Sequence, residues 1–83
     1  MDKWVDYSFI IRSKNRKKLI FLLDNPKTPS QLSSESDLHI AHVSRSLTEL
    51  KEQGIVRLIN PRQKTGRLYQ LTPKGKKVLS ILK

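Results

Sequence analysis

The chain has 83 residues, enough for one small domain around a single core, and we take residues 1–83 as that domain. Hydrophobic residues make up 36% and charged residues 29% of the sequence, as in globular rather than disordered proteins. The absence of cysteine excludes disulfides, and no apolar run approaches the ~18 residues of a membrane helix. Residues 1–14 lack the uninterrupted apolar segment of a signal peptide, so we expect a cytoplasmic protein without a membrane partner.

The charge is strongly positive and unevenly distributed. Seventeen Lys and Arg against seven Asp and Glu give a net charge of +10 at pH 7. Residues 1–23 carry +4 and residues 24–54 carry −2, whereas residues 55–83 contain eight basic residues and no acid. Such an excess in a soluble domain typically indicates a phosphate-bearing partner, and the pattern bears on which part holds a backbone and which part reads it.

The first apolar segment, residues 4–11, has no clear period, and the sequence leaves a short strand and a helical turn open for it. Its large side chains either complete the core or form a dimer interface. They are Trp4, Tyr7, Phe9, Ile10 and Ile11.

A regular helix is predicted from Ser13, whose hydroxyl can cap it, to Asn25-Pro26, where the proline stops it. Its inward stripe consists of Leu19, Ile20, Leu22 and Leu23.

A capping box predicts the second helix, with Thr28 as the cap, proline next and Gln31 at the third helical position. This helix is predicted to end near residues 34–36, and a turn over 36–38 leads to a third helix over 39–53, which Gly54 ends as a left-handed cap. The inward face of the third helix consists of Ile40, Val43, Leu47 and Leu50.

After Gly54 the pattern alternates with a period of two, which predicts strands over 55–59 and 68–71. A basic, turn-rich loop over 60–67 joins them. Thr72-Pro73 repeats the cap-and-proline signal and opens a last helix. Its inward residues are Val78, Leu79 and Leu82.

Four segments carry a resemblance to a known family. They are Thr28-Pro29-Ser30-Gln31-Leu32, His42-Val43-Ser44-Arg45-Ser46-Leu47, Leu50-Lys51-Glu52-Gln53-Gly54-Ile55-Val56 and Gly66-Arg67-Leu68-Tyr69-Gln70-Leu71-Thr72-Pro73-Lys74-Gly75. In this order they resemble the winged helix-turn-helix domain of small archaeal and bacterial MarR/ArsR-like transcription regulators. Two positions depart from that pattern. Ser36 stands where the family usually has an apolar residue, and His39 stands where a capping residue is common.

The resemblance implies an α+β, mainly α fold with a three-helix core, a two-stranded β-hairpin wing and a C-terminal helix. It also implies a sequence-specific transcription regulator that binds double-stranded DNA, with helix 39–53 in the major groove and wing 60–67 on the backbone or minor groove. We expect a homodimer on a two-fold site in a prokaryotic, nucleoid-associated setting.

The residues point independently to the same interface, because a helix about 10–12 Å wide fits the major groove. If the inward stripe faces the core, the outer face of the third helix consists of His39, Ala41, His42, Ser44, Arg45 and Thr48. Arg45 is suited to bidentate pairing with guanine or to a phosphate, and Glu49 and Glu52 are predicted to face away from DNA.

The remaining predicted DNA contacts lie at the start of the second helix, in the wing and on the first regular helix. They are Thr28, Ser30 and Gln31; Arg62, Lys64, Thr65 and Arg67; and Lys14, Arg16 and Lys17, with Lys18 beside them as a flanking phosphate contact.

Simpler interpretations stay open for several of these residues. Arg45 can form a salt bridge with Glu49 one turn away, and the cluster over 14–18 can be a solvated helix face. His39 and His42 lack a third metal ligand, so we expect no metal site, and no motif for catalysis or a cofactor is present. Two other functions remain: a winged-helix module for protein interaction or assembly, and a nonspecific nucleic-acid-binding protein.

Overall fold

The computed structural model describes residues 3–83, with side chains from residue 4 onward. Five helices and two strands follow one another in this part of the chain: α1 (Lys3–Ile11), α2 (Lys14–Leu22), α3 (Pro29–Ser36), α4 (Ile40–Glu52), β1 (Val56–Leu58), β2 (Tyr69–Leu71) and α5 (Pro73–Leu82). The fold is the winged helix predicted from the sequence: α2, α3 and α4 pack together, β1 and β2 form the hairpin, and α5 follows it.

The buried side chains form one apolar core to which every element contributes. It consists of Ile10, Leu19, Ile20, Leu23, Leu32, Val43, Leu47, Leu50, Ile55, Val56, Leu71, Val78 and Leu79. Leu82, predicted to face inward with Val78 and Leu79, is only partly buried at the edge of this core.

Helix α1 shows that residues 4–11 are helical rather than a short strand. Ile10 is fully buried, Tyr7 and Phe9 are half-buried, and Trp4 and Ile11 are exposed. The apolar residues therefore divide between the core and the surface, and this division hid the helical period.

Helix α2 begins as predicted, because the Ser13 hydroxyl accepts a hydrogen bond from the Arg16 amide at 3.2 Å. It ends earlier than predicted, at Leu22 rather than at Asn25-Pro26. A proline nitrogen carries no hydrogen to donate to the carbonyl four residues before it, which here is that of Leu22. Pro26 thus ends the helix about one turn before its own position.

The capping box at the start of α3 is present in full. The Thr28 Oγ1 accepts from the Gln31 amide at 3.2 Å, and the Thr28 amide donates to the Gln31 Oε1 at 2.8 Å. Asp37 then turns the chain with a left-handed φ of 65°.

Ser36 suits the turn although the family pattern favours an apolar residue there. Its side chain is buried, and its hydroxyl accepts from the Leu38 amide at 3.2 Å. Ser33 donates to the Leu38 carbonyl at 2.6 Å. The buried hydroxyl is therefore satisfied, as buried polar groups require.

Helix α4 buries Val43, Leu47 and Leu50 as predicted, and Gly54 follows its end with a φ of +78°. The prediction for Ile40 is wrong, since its side chain is 42% exposed. Ile40 is the first residue of α4, and it lies one turn before Val43, the first buried residue of this helix.

The two strands pair antiparallel, with Val56 opposite Leu71 and Leu58 opposite Tyr69. Lys27 adds a one-residue bridge on the outer side of β2, where its amide and carbonyl bond Tyr69 at 3.1 and 2.9 Å. This bridge fixes the loop before α3 against the hairpin.

Lys27 also carries an ion pair that fastens the same loop. Its Nζ lies 2.7 Å from Glu35 Oε1 and 3.4 Å from Asp24 Oδ1. The hydrogen bond to Glu35 raises the pKa of Lys27 above its ordinary value of 10.5.

Helix α5 is capped by Thr72, whose Oγ1 accepts from the Gly75 amide at 3.1 Å and donates to the Gly54 carbonyl at 2.6 Å. Gly75 packs directly on Ile55, the residue before β1, because any Cβ placed there would overlap the Ile55 carbonyl oxygen. A side chain at this position would push α5 off the hairpin.

Candidate nucleic-acid interface

The outer face of α4 is open to solvent over its first two and a half turns. The residues predicted to lie there are all exposed: His39, Ala41, His42, Ser44, Arg45 and Thr48. They share this face because Val43, Leu47 and Leu50 hold the opposite face in the core. The geometry gives a rod with one buried side and one free polar side.

The start of α4 is capped by the side chain of His39. Its Nδ1 accepts from the Ala41 amide at 3.2 Å, which leaves Nε2 to donate outward. The ring of His42 lies edge-on to that of His39, with centroids 6.3 Å apart. His39, which departs from the family pattern, therefore still caps the helix and adds a ring N–H donor at its N-terminus.

Arg45 points into solvent without an internal partner. Within the described residues 3–83 it forms no ion pair, and the Glu49 carboxylate pairs with Arg16 instead. The pairing of Arg45 with Glu49 is thus not formed. Beside it, the Thr48 hydroxyl donates to the Ser44 carbonyl at 3.0 Å and keeps its lone pairs available to a ligand.

Arg16 is not the surface cation that the sequence suggested. Its Nε lies 3.2 Å from Glu49 Oε1, its Nη1 donates to the Phe9 carbonyl at 2.9 Å, and its guanidinium lies 3.9 Å from the centre of the Phe9 ring. Only 18% of its side chain is exposed. Arg16 joins α1, α2 and α4, so its predicted role as a phosphate contact is dropped.

A second polar cluster ties the end of α4 to both terminal helices. Asp6 is buried, and its Oδ1 lies 3.3 Å from Gln53 Nε2 and 3.3 Å from Lys74 Nζ. Lys74 also donates to the Gln53 carbonyl at 2.9 Å. The C-terminal end of α4 is therefore held through side chains that its outer face does not use.

At the start of α3 the predicted contact residues differ in availability. Ser30 is exposed and has no partner in the described part of the chain, whereas Thr28 and Gln31 are held in the capping box. The Gln31 amide nitrogen stays available as a donor, because only its oxygen takes part in the cap.

The tip of the wing presents Arg62, Lys64 and Thr65 to solvent. Asn60 closes the loop beneath them, since its Nδ2 donates to the Gly66 carbonyl at 3.0 Å and its Oδ1 accepts from the Leu68 amide at 2.7 Å. This pair of bonds holds the basic tip out from the hairpin.

Arg67 lies lower in the wing than the sequence placed it. It is only partly exposed, and its Nε is buried without a hydrogen-bond partner among residues 3–83. Arg67 therefore belongs to the base of the wing rather than to its exposed tip, because the loop returns to the hairpin at this residue.

One feature of α2 was not predicted from the sequence. Lys14, Lys17 and Lys18 are exposed on this helix, and with them Phe21 and Leu38 line an open groove. The spacing of three and four residues marks these side chains as one face of a helix, a signal present in the sequence.

Two kinds of feature are absent from the described residues. Residues 3–83 contain no group of three or more His, Cys, Asp or Glu side chains that could hold a metal ion. None of the helices in that range is long and apolar enough to span a membrane.

Comparison with known proteins places the fold among winged-helix regulators. A MarR family regulator from Neisseria meningitidis superposes with a TM-score of 0.79 at 24% identity, over 98% of this chain and 58% of its own. The homodimeric winged helix-turn-helix DNA-binding domain of a possible ArsR-family regulator from Mycobacterium bovis gives 0.72 at 18% identity, over 96% and 71%. HlyU from Vibrio cholerae gives 0.67 at 25% identity, over 99% and 94%.

The chain spans about half the length of the MarR family structures that it matches, 46% to 58% of three of them. No protein-family model matches the sequence. No curated protein matches it either. The likeness thus lies in the fold, and the three MarR family structures are described as regulators.

Proposed function

We propose that this chain is a transcription regulator, not an enzyme, that binds double-stranded DNA sequence-specifically. The observation that carries the proposal is the exposed polar face of α4, with Arg45 uncommitted at its centre, opposite a fully buried apolar stripe. In this proposal α4 enters the major groove, and Arg45 pairs with a base or a phosphate.

The exposed cations away from α4 act as backbone contacts. Arg62 and Lys64 at the tip of the wing approach the backbone or minor groove, and Lys14 and Lys17 approach flanking phosphates. The charge distribution supports this division, because the acids of the chain fall in residues 1–54 and none falls in residues 55–83.

Self-association is proposed through the outer side of α1. Trp4 and Ile11 are 61% and 46% exposed, and Val5 is 55% exposed. Trp4 and Ile11 are seven residues apart, about two helical turns, so they lie on the same side of the helix. A second copy of the chain would cover these side chains and place two α4 helices on a two-fold DNA site.

The whole proposal treats residues 1–83 as one winged-helix domain that works without a cofactor in a prokaryotic cytoplasm, next to the nucleoid. What supports it is the likeness to regulators, one of which is described as a homodimeric DNA-binding domain.

The test is selection of bound duplexes from a random pool, followed by titration of the selected duplex at several salt concentrations. We expect a two-fold motif with half-site centres about 34 Å apart or a multiple of that distance. Affinity is expected to fall about a thousandfold between about 50 and 200 mM salt if a dimer neutralises about six phosphates.

The alternatives give different results in the same experiment. Equal affinity for the selected and random duplexes indicates a nonspecific nucleic-acid-binding protein. No duplex binding, or binding that high salt leaves unchanged, indicates a protein-interaction module and contradicts the proposal.

A further inference from the structure

An open groove of about 450 Å³ runs along the outer side of α2. It is lined by Lys14, Asn15, Lys17, Lys18, Phe21 and Leu38. Helical spacing brings Lys14, Lys17, Lys18 and Phe21 to one face of α2, and Leu38, from the turn before α4, completes the lining.

The groove combines an apolar floor with a basic rim. Phe21 is 40% exposed, and Leu38 is partly buried beside it. The lining includes three lysines and no acid, and none of the three forms an ion pair with any residue in the described part of the chain. Phosphate contacts account for the lysines but give an exposed phenylalanine no role.

The shape of the groove favours a peptide segment over a small molecule. Small-molecule sites bury most of the ligand surface, which an open groove cannot do. The nine residues of α2 extend about 13 Å, the length of about two turns of a partner helix. Such a helix can place one apolar anchor and acidic residues one turn to either side of it along the groove.

We propose that this groove binds an acidic amphipathic helix of a partner protein. A bulky apolar side chain of the partner packs between Phe21 and Leu38, and its carboxylates pair with Lys14, Lys17 and Lys18. The positive rim selects acidic partners and rejects basic ones, which gives the site its specificity.

The site also bears on DNA binding, and this part rests on the proposed function. Lys14 and Lys17 are the proposed flanking phosphate contacts, so a bound acidic helix takes them away from DNA. The partner and the duplex then compete, and the partner acts as an antagonist that mimics phosphate charge.

The experiment uses the full chain without DNA and a short stapled helical peptide as the probe. The peptide is fluorescein-labelled and carries one tryptophan with glutamates one turn before and one turn after it. Fluorescence anisotropy measures its affinity. A peptide with lysine in place of each glutamate, and one with alanine in place of tryptophan, are the matched probes, and both are expected to bind about tenfold more weakly or not at all.

Two substitutions separate the floor from the rim. Phe21→Ala and Lys18→Glu are each expected to weaken peptide binding about tenfold. The controls are Ile59→Ala, an apolar side chain of similar exposure (39%), and Lys77→Glu on the exposed side of α5, and both are expected to leave peptide affinity unchanged. Circular dichroism and thermal melting check that each variant folds.

Amide chemical-shift mapping with the same peptide locates the site without any substitution. Shifts confined to α2 and residues near Leu38 support the proposal. No peptide binding, equal binding of the lysine peptide, or shifts elsewhere overturn it. If a duplex binds and the peptide does not, the peptide site is refuted and the proposed function stands. If the peptide binds and no duplex does, only the proposal of a DNA-binding regulator is refuted.

Discussion

The two halves of α4 are built for opposite purposes. Towards its N-terminus, the polar side chains His42 and Arg45 are exposed and make no ion pair within residues 3–83. Towards its C-terminus, Glu49 binds Arg16, and Gln53 at the C-cap binds Asp6. One half is available to a ligand, whereas the other is fastened to α1 and α2 by side chains.

This difference between the two halves shows how a short helix can present binding groups to a ligand while its position in the fold is kept. An exposed arginine contributes most to the affinity for DNA when its helix is already held in place, because ordering a mobile helix on binding costs free energy. The polar contacts of the C-terminal half and the buried stripe together supply that rigidity. Substitutions in the two halves should therefore separate stability from DNA binding.

The largest effect is expected from Leu47→Ala, which removes a fully buried side chain from the stripe beneath both halves. The cavity is expected to lower the free energy of unfolding by about 3 kcal/mol, measured by urea denaturation. Thr48→Ala, the exposed neighbour, is the control and is expected to change stability by less than about 0.5 kcal/mol. Similar losses for the two variants would contradict the division of α4 into a buried and a free face.

The next effect concerns DNA alone. Arg45→Ala is expected to weaken binding of the preferred duplex by about 2 kcal/mol and to relax the preference for a base at one position of the site. Stability should stay unchanged, because Arg45 has no ion pair within residues 3–83. Lys64→Ala in the wing is the matched loss of one cation. It is expected to weaken the binding of all duplexes equally, and by less than Arg45→Ala weakens the preferred one. If both variants reduce binding uniformly, α4 does not read sequence.

A smaller loss is expected where the fastened half meets α2. Arg16→Ala removes the pair with Glu49, the bond to the Phe9 carbonyl and the contact with the Phe9 ring. We expect a loss of about 1–2 kcal/mol in unfolding free energy, since these contacts are partly shielded from water. A double-mutant cycle with Glu49→Gln isolates the ion pair. A coupling energy near zero would mean that Arg16 does not fasten α4.

The smallest effect is expected outside α4, at the pair of Lys27 and Glu35, whose carboxylate side chain is 43% exposed. Glu35→Gln should cost less than about 1 kcal/mol, because an ion pair with a solvent-exposed partner contributes little. The raised pKa of Lys27 gives the sign of the pH dependence: its contribution is complete below the ordinary value of 10.5 and is lost as the pH rises through the folded value. Denaturation of the wild type and of Glu35→Gln at neutral pH and above pH 10.5 measures it, and a difference that grows with pH would contradict this sign.

Local signals in the sequence sufficed for most helix boundaries. Ser13, Thr28 and Thr72 each cap the helix that their position predicted, and Gly54 adopts the left-handed conformation expected of it. Such caps can be predicted because their hydrogen bonds join residues at most three positions apart.

Contacts between distant residues explain what the sequence did not reveal. Arg16 and Glu49 are 33 positions apart, and Asp6 and Gln53 are 47 apart, so no periodicity relates them. An arginine in a basic cluster has the same appearance whether it faces solvent or an internal carboxylate. The exposure of Ile40 was missed for a similar reason, because helical spacing does not show where the core ends.

Amide chemical-shift mapping of the full chain with a duplex selected from the random pool shows whether the outer face of α4 is the surface that contacts DNA. We expect the largest shifts at Ala41, His42, Ser44, Arg45 and Thr48, with further shifts at the tip of the wing. Shifts restricted to α1 and α5, with the α4 amides unchanged, would contradict this expectation.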